Sequence, residues 1–168
     1  MTAFALLLRA VNVGRNNRVA MADLRGLLEG LGHTDVQTVL NSGNAVFTSR
    51  RSTGLVEEVE AGLRELGVDV RAAVVTCDDL LVMVEQLPAR VAATAYPVVG
   101  VLLGEPTGTP PDFAPDVWEL GSGCVWLGYA TDVRTSRMTT ARLERSLGTG
   151  VTARTPATLR TLLAARRP

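Results

Sequence analysis

The chain has 168 residues, 46% of them apolar and 20% charged, which is enough to bury a core as one compact domain or two small lobes and excludes disorder or collagen-like order. Two cysteines, Cys77 and Cys124, and one histidine, His33, leave no disulfide framework, no zinc site of the usual spacing and no mechanism that needs two imidazoles. The net charge is zero, yet its distribution is uneven: eight arginines face ten carboxylates in residues 1–84, one faces six in 85–132, and eight face one in 133–168, so the carboxyl end is a basic block.

Apolar runs such as Phe4 to Leu8 and Pro97 to Leu103 stop far short of the roughly 18 residues that a membrane span needs. Met1 leads directly into strand-like sequence, so the expectation is no signal peptide, no membrane association and a cytoplasmic location. The apolar run Ala3 to Leu8 suits a central strand covered on both faces, by a second lobe or another subunit. Residues 10–19 are polar and turn-prone around Asn12, Gly14, Asn16 and Asn17. Met21, Leu24, Leu27, Leu28 and Leu31 then recur at helical spacing, with Gly32 as the closing residue. Val36 to Leu40 and Ala45 to Thr48 read as a hairpin around Asn41-Ser42-Gly43-Asn44, whose Ser-Gly and Gly-Asn pairs favour positive φ. Leu55, Val56, Val59, Leu63 and Leu66 form a second amphipathic stripe ended by Gly67, and Val68 to Val75 reads as a strand. The first half is therefore βαββαβ.

Thr76-Cys77-Asp78-Asp79 matches a capping box opening a helix to about Leu87, which gives Asp79 a structural role. Val98 to Leu103 is a strand, the proline- and glycine-rich stretch 104–115 a loop, and Val117 to Leu120 with Cys124 to Tyr129 a second hairpin around Gly121-Ser122-Gly123. A helix from Thr140 to Leu147 ends at Gly148, and Val151 to Ala153 is a short strand. Thr155-Pro156 starts a last helix, with threonine as N-cap and proline at its first position. The second half repeats the first in element order, with a loop in place of its first helix and an extra helix at the end. The expected fold class is α+β, with a first ferredoxin-like lobe over residues 1–76, a connecting helix and linker over 77–96, and a second, irregular lobe over 97–168.

A right-handed crossover makes the first two strands parallel with the third between them. The loop 10–19 and the turn 41–44 then share one end of the sheet, where Arg9, Asn12, Gly14, Arg15, Asn16, Asn17, Arg18, Ser42 and Asn44 converge. Guanidinium groups, amides and flexible backbone N–H groups without carboxylates are the donor chemistry that anions select. The ligand class expected is a small molecule bearing phosphate or carboxylate. Asn and Gly are also ordinary turn residues, and an arginine beside a turn is normally a solvated charge. Neither the phosphate-loop motif nor the G-x-G-x-x-G fingerprint is present, and no metal or other cofactor is called for. His33, just after the helix end, reads as structural.

The carboxyl-terminal arginines point to nucleic acid as the alternative partner. Against it stand the neutral total, the acidic middle segment and only seven aromatic residues, too few for an ordered base-stacking sheet. Trp118, Trp126 and Tyr129 read as core or interface residues rather than ligand platforms. An enzyme has the least support, because no paired carboxylates, Cys-His pair or metal cluster stands at an interpretable spacing.

Leu7-Leu8-Arg9-Ala10-Val11-Asn12-Val13-Gly14 through Met21-Ala22-Asp23-Leu24-Arg25, followed by Asn41-Ser42-Gly43-Asn44-Ala45-Val46-Phe47, resembles the bacterial family catalogued as domain of unknown function 1697. Ser136-Arg137-Met138-Thr139, Leu143-Glu144-Arg145-Ser146-Leu147-Gly148 and Thr152-Ala153-Arg154-Thr155 look like its carboxyl-terminal signature, so the resemblance runs the full length. It implies two ferredoxin-like lobes and supplies no established activity. Arg9, Asn12, Gly14, Ser42, Gly43, Asn44, Arg137 and Arg154 fall on family-like positions and form the candidate site, with Arg15 as an auxiliary donor. The family's loop commonly reads Gly-Gly-Lys-Asn where this chain has Gly14-Arg15-Asn16-Asn17, and its Arg-Asn-Trp is here Arg154-Thr155-Pro156.

Overall fold

The computed structural model describes residues 1–12 and 17–166. Its internal contacts divide the chain into two units, Met1–Leu81 with Arg160–Pro168 and Val82–Leu159. The first unit holds β1 (Thr2–Leu8), α1 (Met21–Gly30), β2 (Thr34–Val39), β3 (Asn44–Ser49), α2 (Leu55–Glu65) and β4 (Ala72–Thr76), and α3 (Cys77–Glu85) begins in it. Its antiparallel sheet has the order β2-β3-β1-β4, with Leu7 opposite Asn44 on one side and Ala73 on the other. This is the ferredoxin-like arrangement expected from the element order. Phe4 through Leu8 are all buried, as the unbroken apolar run requires of a central strand. Leu24 and Leu28 of α1 and Val59 and Leu63 of α2 close one core with Phe4, Leu6, Leu8 and Phe47, each fully buried side chain contributing roughly 1.5–3 kcal/mol.

The second unit holds α4 (Ala89–Ala92), β5 (Tyr96–Leu102), β6 (Val117–Gly121), β7 (Cys124–Tyr129), α5 (Thr140–Leu147) and β8 (Val151–Arg154), and α6 (Pro156–Ala164) begins in it. The order β6-β7-β5-β8 repeats that of the first sheet. As expected, residues 103–116 join β5 to β6 with no helix. Phe113, Leu127, Met138, Leu143, Leu147 and Val151 form its core. Trp126 is buried and donates its indole N–H to the Met83 carbonyl at 2.8 Å.

Several caps follow the sequence. Asp79 N donates to Thr76 Oγ1 at 3.0 Å while Thr76 Oγ1 donates to Asp79 Oδ2 at 2.6 Å, completing the capping box. Thr155 Oγ1 accepts from Thr158 N, and Gly148 ends α5 in the left-handed conformation. Other boundaries differ. The strand expected from Val68 begins at Ala72, because the ladder to β1 starts there, opposite Leu8; Val68 and Val70 are buried outside the ladder. The helix expected to reach Leu87 ends at Glu85, and Pro88 caps the unforeseen α4. The unit boundaries fall at Leu81/Val82, in α3, and at Leu159/Arg160, in α6.

Cys77 and Cys124 are buried and free. Burial pushes both thiols up, Cys124 to about 11, so they stay protonated at neutral pH and are poor nucleophiles. His33 is also buried. Its Nε2 lies 3.1 Å from Glu58 Oε1, its ring centre is 4.5 Å from that of Phe47, and Glu58 is held in turn by Arg51 at 2.6 Å. Burial lowers the imidazole pKa from 6.5, and Glu58 offsets part of that effect. The folded state therefore favours neutral His33 whereas the unfolded chain takes up a proton near 6.5. This contribution to stability is complete above 6.5 and is lost as the pH falls from there toward the folded value, with a slope of at most about 1.4 kcal/mol per pH unit. Urea titrations between about pH 7 and about pH 5 should show this loss in the wild type and a shallower dependence in His33→Gln; equal slopes would contradict the assignment.

Candidate functional site

The end of β1 and the β2–β3 turn lie side by side. Leu8 N donates to the Gly43 carbonyl at 2.9 Å, extending the ladder past the last strand pair. Gly43 has φ 73°, and a Cβ there would lie 2.5 Å from Val11 Cγ2 and 2.8 Å from Leu8 Cβ. Only a glycine permits both this backbone conformation and this close approach. Asn12, itself left-handed at φ 56°, ties the edge together. Its Nδ2 donates to the carbonyls of Val19 (3.1 Å) and Asn41 (2.6 Å), its Oδ1 accepts from Val19 N (3.0 Å), and its backbone N–H donates to Asn17 O (3.0 Å).

The end of β1 and the turn 41–44 thus meet at one end of the sheet, while Gly14, Arg15 and Asn16 of the expected convergence lie outside the described residues; the asparagines that are described play another part in it. Asn12 has both amide hydrogens in backbone bonds. Asn44 is fully buried and donates to Val39 O at 3.3 Å and Ser42 Oγ at 2.8 Å. As suppliers of free donors to a ligand, Asn12 and Asn44 are corrected: a buried or looped amide must satisfy its hydrogens locally, so these side chains build the edge. Ser42 acts as the acceptor for Asn44 and Gly43 makes the close approach possible. Arg9 is half-buried at the end of β1, and its backbone N–H donates to Arg71 O. Gly14 and Arg15 lie outside the described residues.

Beside this edge is an open depression of about 450 Å³ lined by Asn12, Arg18, Val19, Ala20, Met21 and Asn41. It sits at the amino end of α1, where the cap position is Ala20 and no side chain caps the helix. The first helical bond is Leu24 N to Ala20 O, so the N–H groups of Met21, Ala22 and Asp23 have no acceptor among the described residues. Uncapped N–H groups at a helix start carry partial positive charge, and Arg18 is the charged residue among those lining the depression. Asp23 lines a separate groove between α1 and α2 with Gly26, Leu27 and Gly62. The signal for this feature was present in the sequence as the lack of Ser, Thr, Asp or Asn immediately before Met21. The expected candidate set left out Asn41 and the helix start, and Arg18 was named only among the residues converging on this edge.

Arg137 and Arg154 belong to the second unit. The Ser136-Arg137-Met138-Thr139 segment is anchored by buried Asp116, whose Oδ2 accepts from Ser136 Oγ at 2.5 Å and whose Oδ1 accepts from Ala130 N at 2.8 Å; Ser136 Oγ accepts from Met138 N. The Arg137 side chain is exposed while its carbonyl accepts from Arg142 Nη1 at 3.0 Å. Arg154, at the end of β8, donates from Nη1 to Thr152 Oγ1 and Ala153 O, and burial lowers its pKa. Within the basic block, Arg134 pairs with Asp132, Arg166 pairs with Asp78, and Arg142 lies 5.1 Å from the Phe113 ring centre.

Two ferredoxin-like sheets in tandem, the first with a loop-and-turn edge beside an uncapped helix start, define an α+β protein whose polar loop edge is its candidate binding region. The chain belongs to the family described as Protein of unknown function (DUF1697), whose model matches residues 1–114. The match stops short of the Ser136–Thr139 and Arg154 motifs. The chain is also similar to a solved structure, the conserved bacterial protein SP0830 from Streptococcus pneumoniae, with a TM-score of 0.76 and 24% identity over 98% of each chain; this likeness shows the fold. No curated protein matches the chain. Among the described residues no helix is long and apolar enough to cross a membrane.

Proposed function

We propose that the protein binds a small anionic ligand, bearing phosphate or carboxylate, at the edge formed by residues 10–19 and the turn 41–44. The observation that carries this reading is the depression at the start of α1, which has Arg18 on its wall, first-turn N–H groups with no acceptor among the described residues, and no carboxylate among its described lining residues. Asn12 and Asn44 serve the site by holding its walls. The buried, free thiols suit a reducing compartment, and a cytoplasmic location is part of the proposal.

Thermal unfolding with inorganic phosphate, sugar phosphates, nucleotides and carboxylates tests it. A ligand at a hundredfold its dissociation constant adds about 2.7 kcal/mol of stability, which a midpoint shift reveals. Arg18→Ala should weaken binding by roughly 10- to 100-fold, as expected for loss of a charge-assisted bond, whereas Arg18→Lys keeps part of the affinity. No shift across the panel, or an undiminished shift in Arg18→Ala, would overturn the reading.

The second reading, nucleic-acid binding by the carboxyl-terminal arginines, rests on Arg137 and Arg145, exposed in the second unit without guanidinium partners among the described residues. Two such contacts correspond to a salt-dependence slope of about −2, against about −5 for a protein making six phosphate contacts. The small-anion reading is favoured for that reason, and a steep salt dependence of DNA or RNA binding would reverse the order.

A further inference from the structure

We infer that the outer edge of β6 is a docking strip for an extended peptide segment carrying a basic side chain, a reading that does not depend on the anion site. The first observation is the backbone. β6 is the outermost strand of its sheet and pairs with β7 alone among the described residues. The connection Ser122-Gly123 has two residues, which makes Gly121 and Cys124 a hydrogen-bonded pair. By alternation Glu119 and Val117 also bond to β7, so Trp118 and Leu120 direct their N–H and C=O groups away from the sheet. Among the described residues, these outward groups have one contact: Arg90 Nη2 donates to the Trp118 carbonyl at 2.7 Å. The register with β7 runs without a shift from Val117 to Gly121, and the strand holds no proline, so neither a bulge nor a proline blunts this edge.

The second observation is the groove beside it. An open space of about 320 Å³ is lined by β6, by Arg90 of α4 and by Asp112 and Asp116 of the preceding loop. Its charge selects the occupant. The carboxylates of Asp112, Asp116 and Glu119 stand against one guanidinium, and Arg90 Nε already donates to Glu119 Oε2 at 3.0 Å. Asp116 is engaged by Ala130 N and Ser136 Oγ, and Asp112 Oδ1 accepts from Ala114 N. Glu119, whose side chain is 44% exposed, is the carboxylate placed to meet a new partner. A strand added antiparallel through Trp118 and Leu120 sets one of its residues directly opposite Glu119, in a non-hydrogen-bonded pair whose side chains lie close. A second copy adding its own β6 in the symmetric register would set Glu119 against Glu119, which like charges disfavour. A lysine or arginine at that position is favoured. The Arg90 guanidinium, held by an exposed ion pair that contributes little, moves aside as the incoming N–H takes the Trp118 carbonyl. Main-chain bonds give such strand addition its affinity, and the side-chain pair gives it selectivity.

Nuclear magnetic resonance titration of the isotope-labelled chain with the capped peptides Thr-Val-Lys-Val-Thr and Thr-Val-Glu-Val-Thr, at one ionic strength, tests the inference. The lysine peptide should bind about tenfold tighter than the glutamate peptide. In its presence, solvent exchange of the Trp118 and Leu120 amides should slow, while the Glu119 amide, already bonded to β7, changes little. Leu120→Pro removes an outward N–H and leaves the β6–β7 ladder intact, so it should weaken the lysine peptide by at least about tenfold. Glu119→Lys is the second variant and decides the matter should Leu120→Pro fail to fold: in it the preference should reverse in favour of the glutamate peptide. Binding of neither peptide, equal binding of both, or binding that leaves the Trp118 and Leu120 amides exchanging as before would overturn the inference, as would a lysine preference that survives in Glu119→Lys. Wild-type protein that dimerises in light scattering and becomes monomeric in Leu120→Pro would overturn it by assigning the edge to a second copy.

Discussion

Gly43→Ala should lower the stability of the first unit by about 2–5 kcal/mol. Two effects add. A non-glycine residue at φ 73° meets the left-handed penalty of about 1–2 kcal/mol, and the new methyl would stand 2.5 Å from Val11 Cγ2 and 2.8 Å from Leu8 Cβ. Val11 Cγ2 can swing aside but Leu8 Cβ is fixed to the central strand, so relief requires the turn to move away from β1, an overpacking cost of about 1–3 kcal/mol. The urea midpoint followed by far-ultraviolet circular dichroism measures the loss. Exchange of the Leu8 amide, which donates to Gly43 O, should accelerate with it, because that bond must break if the turn withdraws. A variant of wild-type stability with a protected Leu8 amide would show that the contact is looser than its geometry states. The same substitution should abolish the ligand-induced thermal shift, since Asn41 lines the depression from the displaced turn.

In the second unit the largest loss is expected from Asp116→Ala. Asp116 is 6% exposed and satisfies the Ala130 N–H and the Ser136 hydroxyl at once. Removing it strands a backbone donor and a hydroxyl in a setting with little water, at about 1–3 kcal/mol for each unsatisfied group; about 3 kcal/mol in total is expected. Asp116→Asn should recover part of this, because its carbonyl oxygen still accepts from Ala130 N and its amide can donate to a reoriented Ser136 hydroxyl. Both tryptophans, Trp118 and Trp126, lie in this unit, so indole fluorescence during urea unfolding reports on it. If Asp116→Ala and Asp116→Asn unfold alike, the carboxylate contributes through its charge and not through the two bonds. Since Ser136 also caps the Met138 N–H, Asp116→Ala should loosen the segment that carries Arg137.

The element order, the place of β3 between β1 and β2 and most caps were legible in the sequence because they depend on spacing. An apolar run from Phe4 to Leu8 has to be a covered strand, Thr76 and Asp79 three apart have to meet at a helix start, and a right-handed crossover has to bring the loop after β1 beside the turn 41–44. Each of these relations is local or follows from chain direction.

The use of each polar group at that edge was decided by tertiary structure alone. Whether Asn12 offers its amide to a ligand depends on an oxygen 29 residues away, the Asn41 carbonyl, and whether Asn44 does depends on how deeply the turn buries it. Hydrogen-bond saturation is set by the whole neighbourhood of an atom, not by residue type. The backbone sign at Leu40, φ 57°, was hidden for a related reason, since local propensity places asparagine or glycine in that conformation. The sequence by itself determined which segments meet. The folded chain decided which of their atoms remain available, because that depends on contacts between residues whose separation along the chain carries no periodic signal.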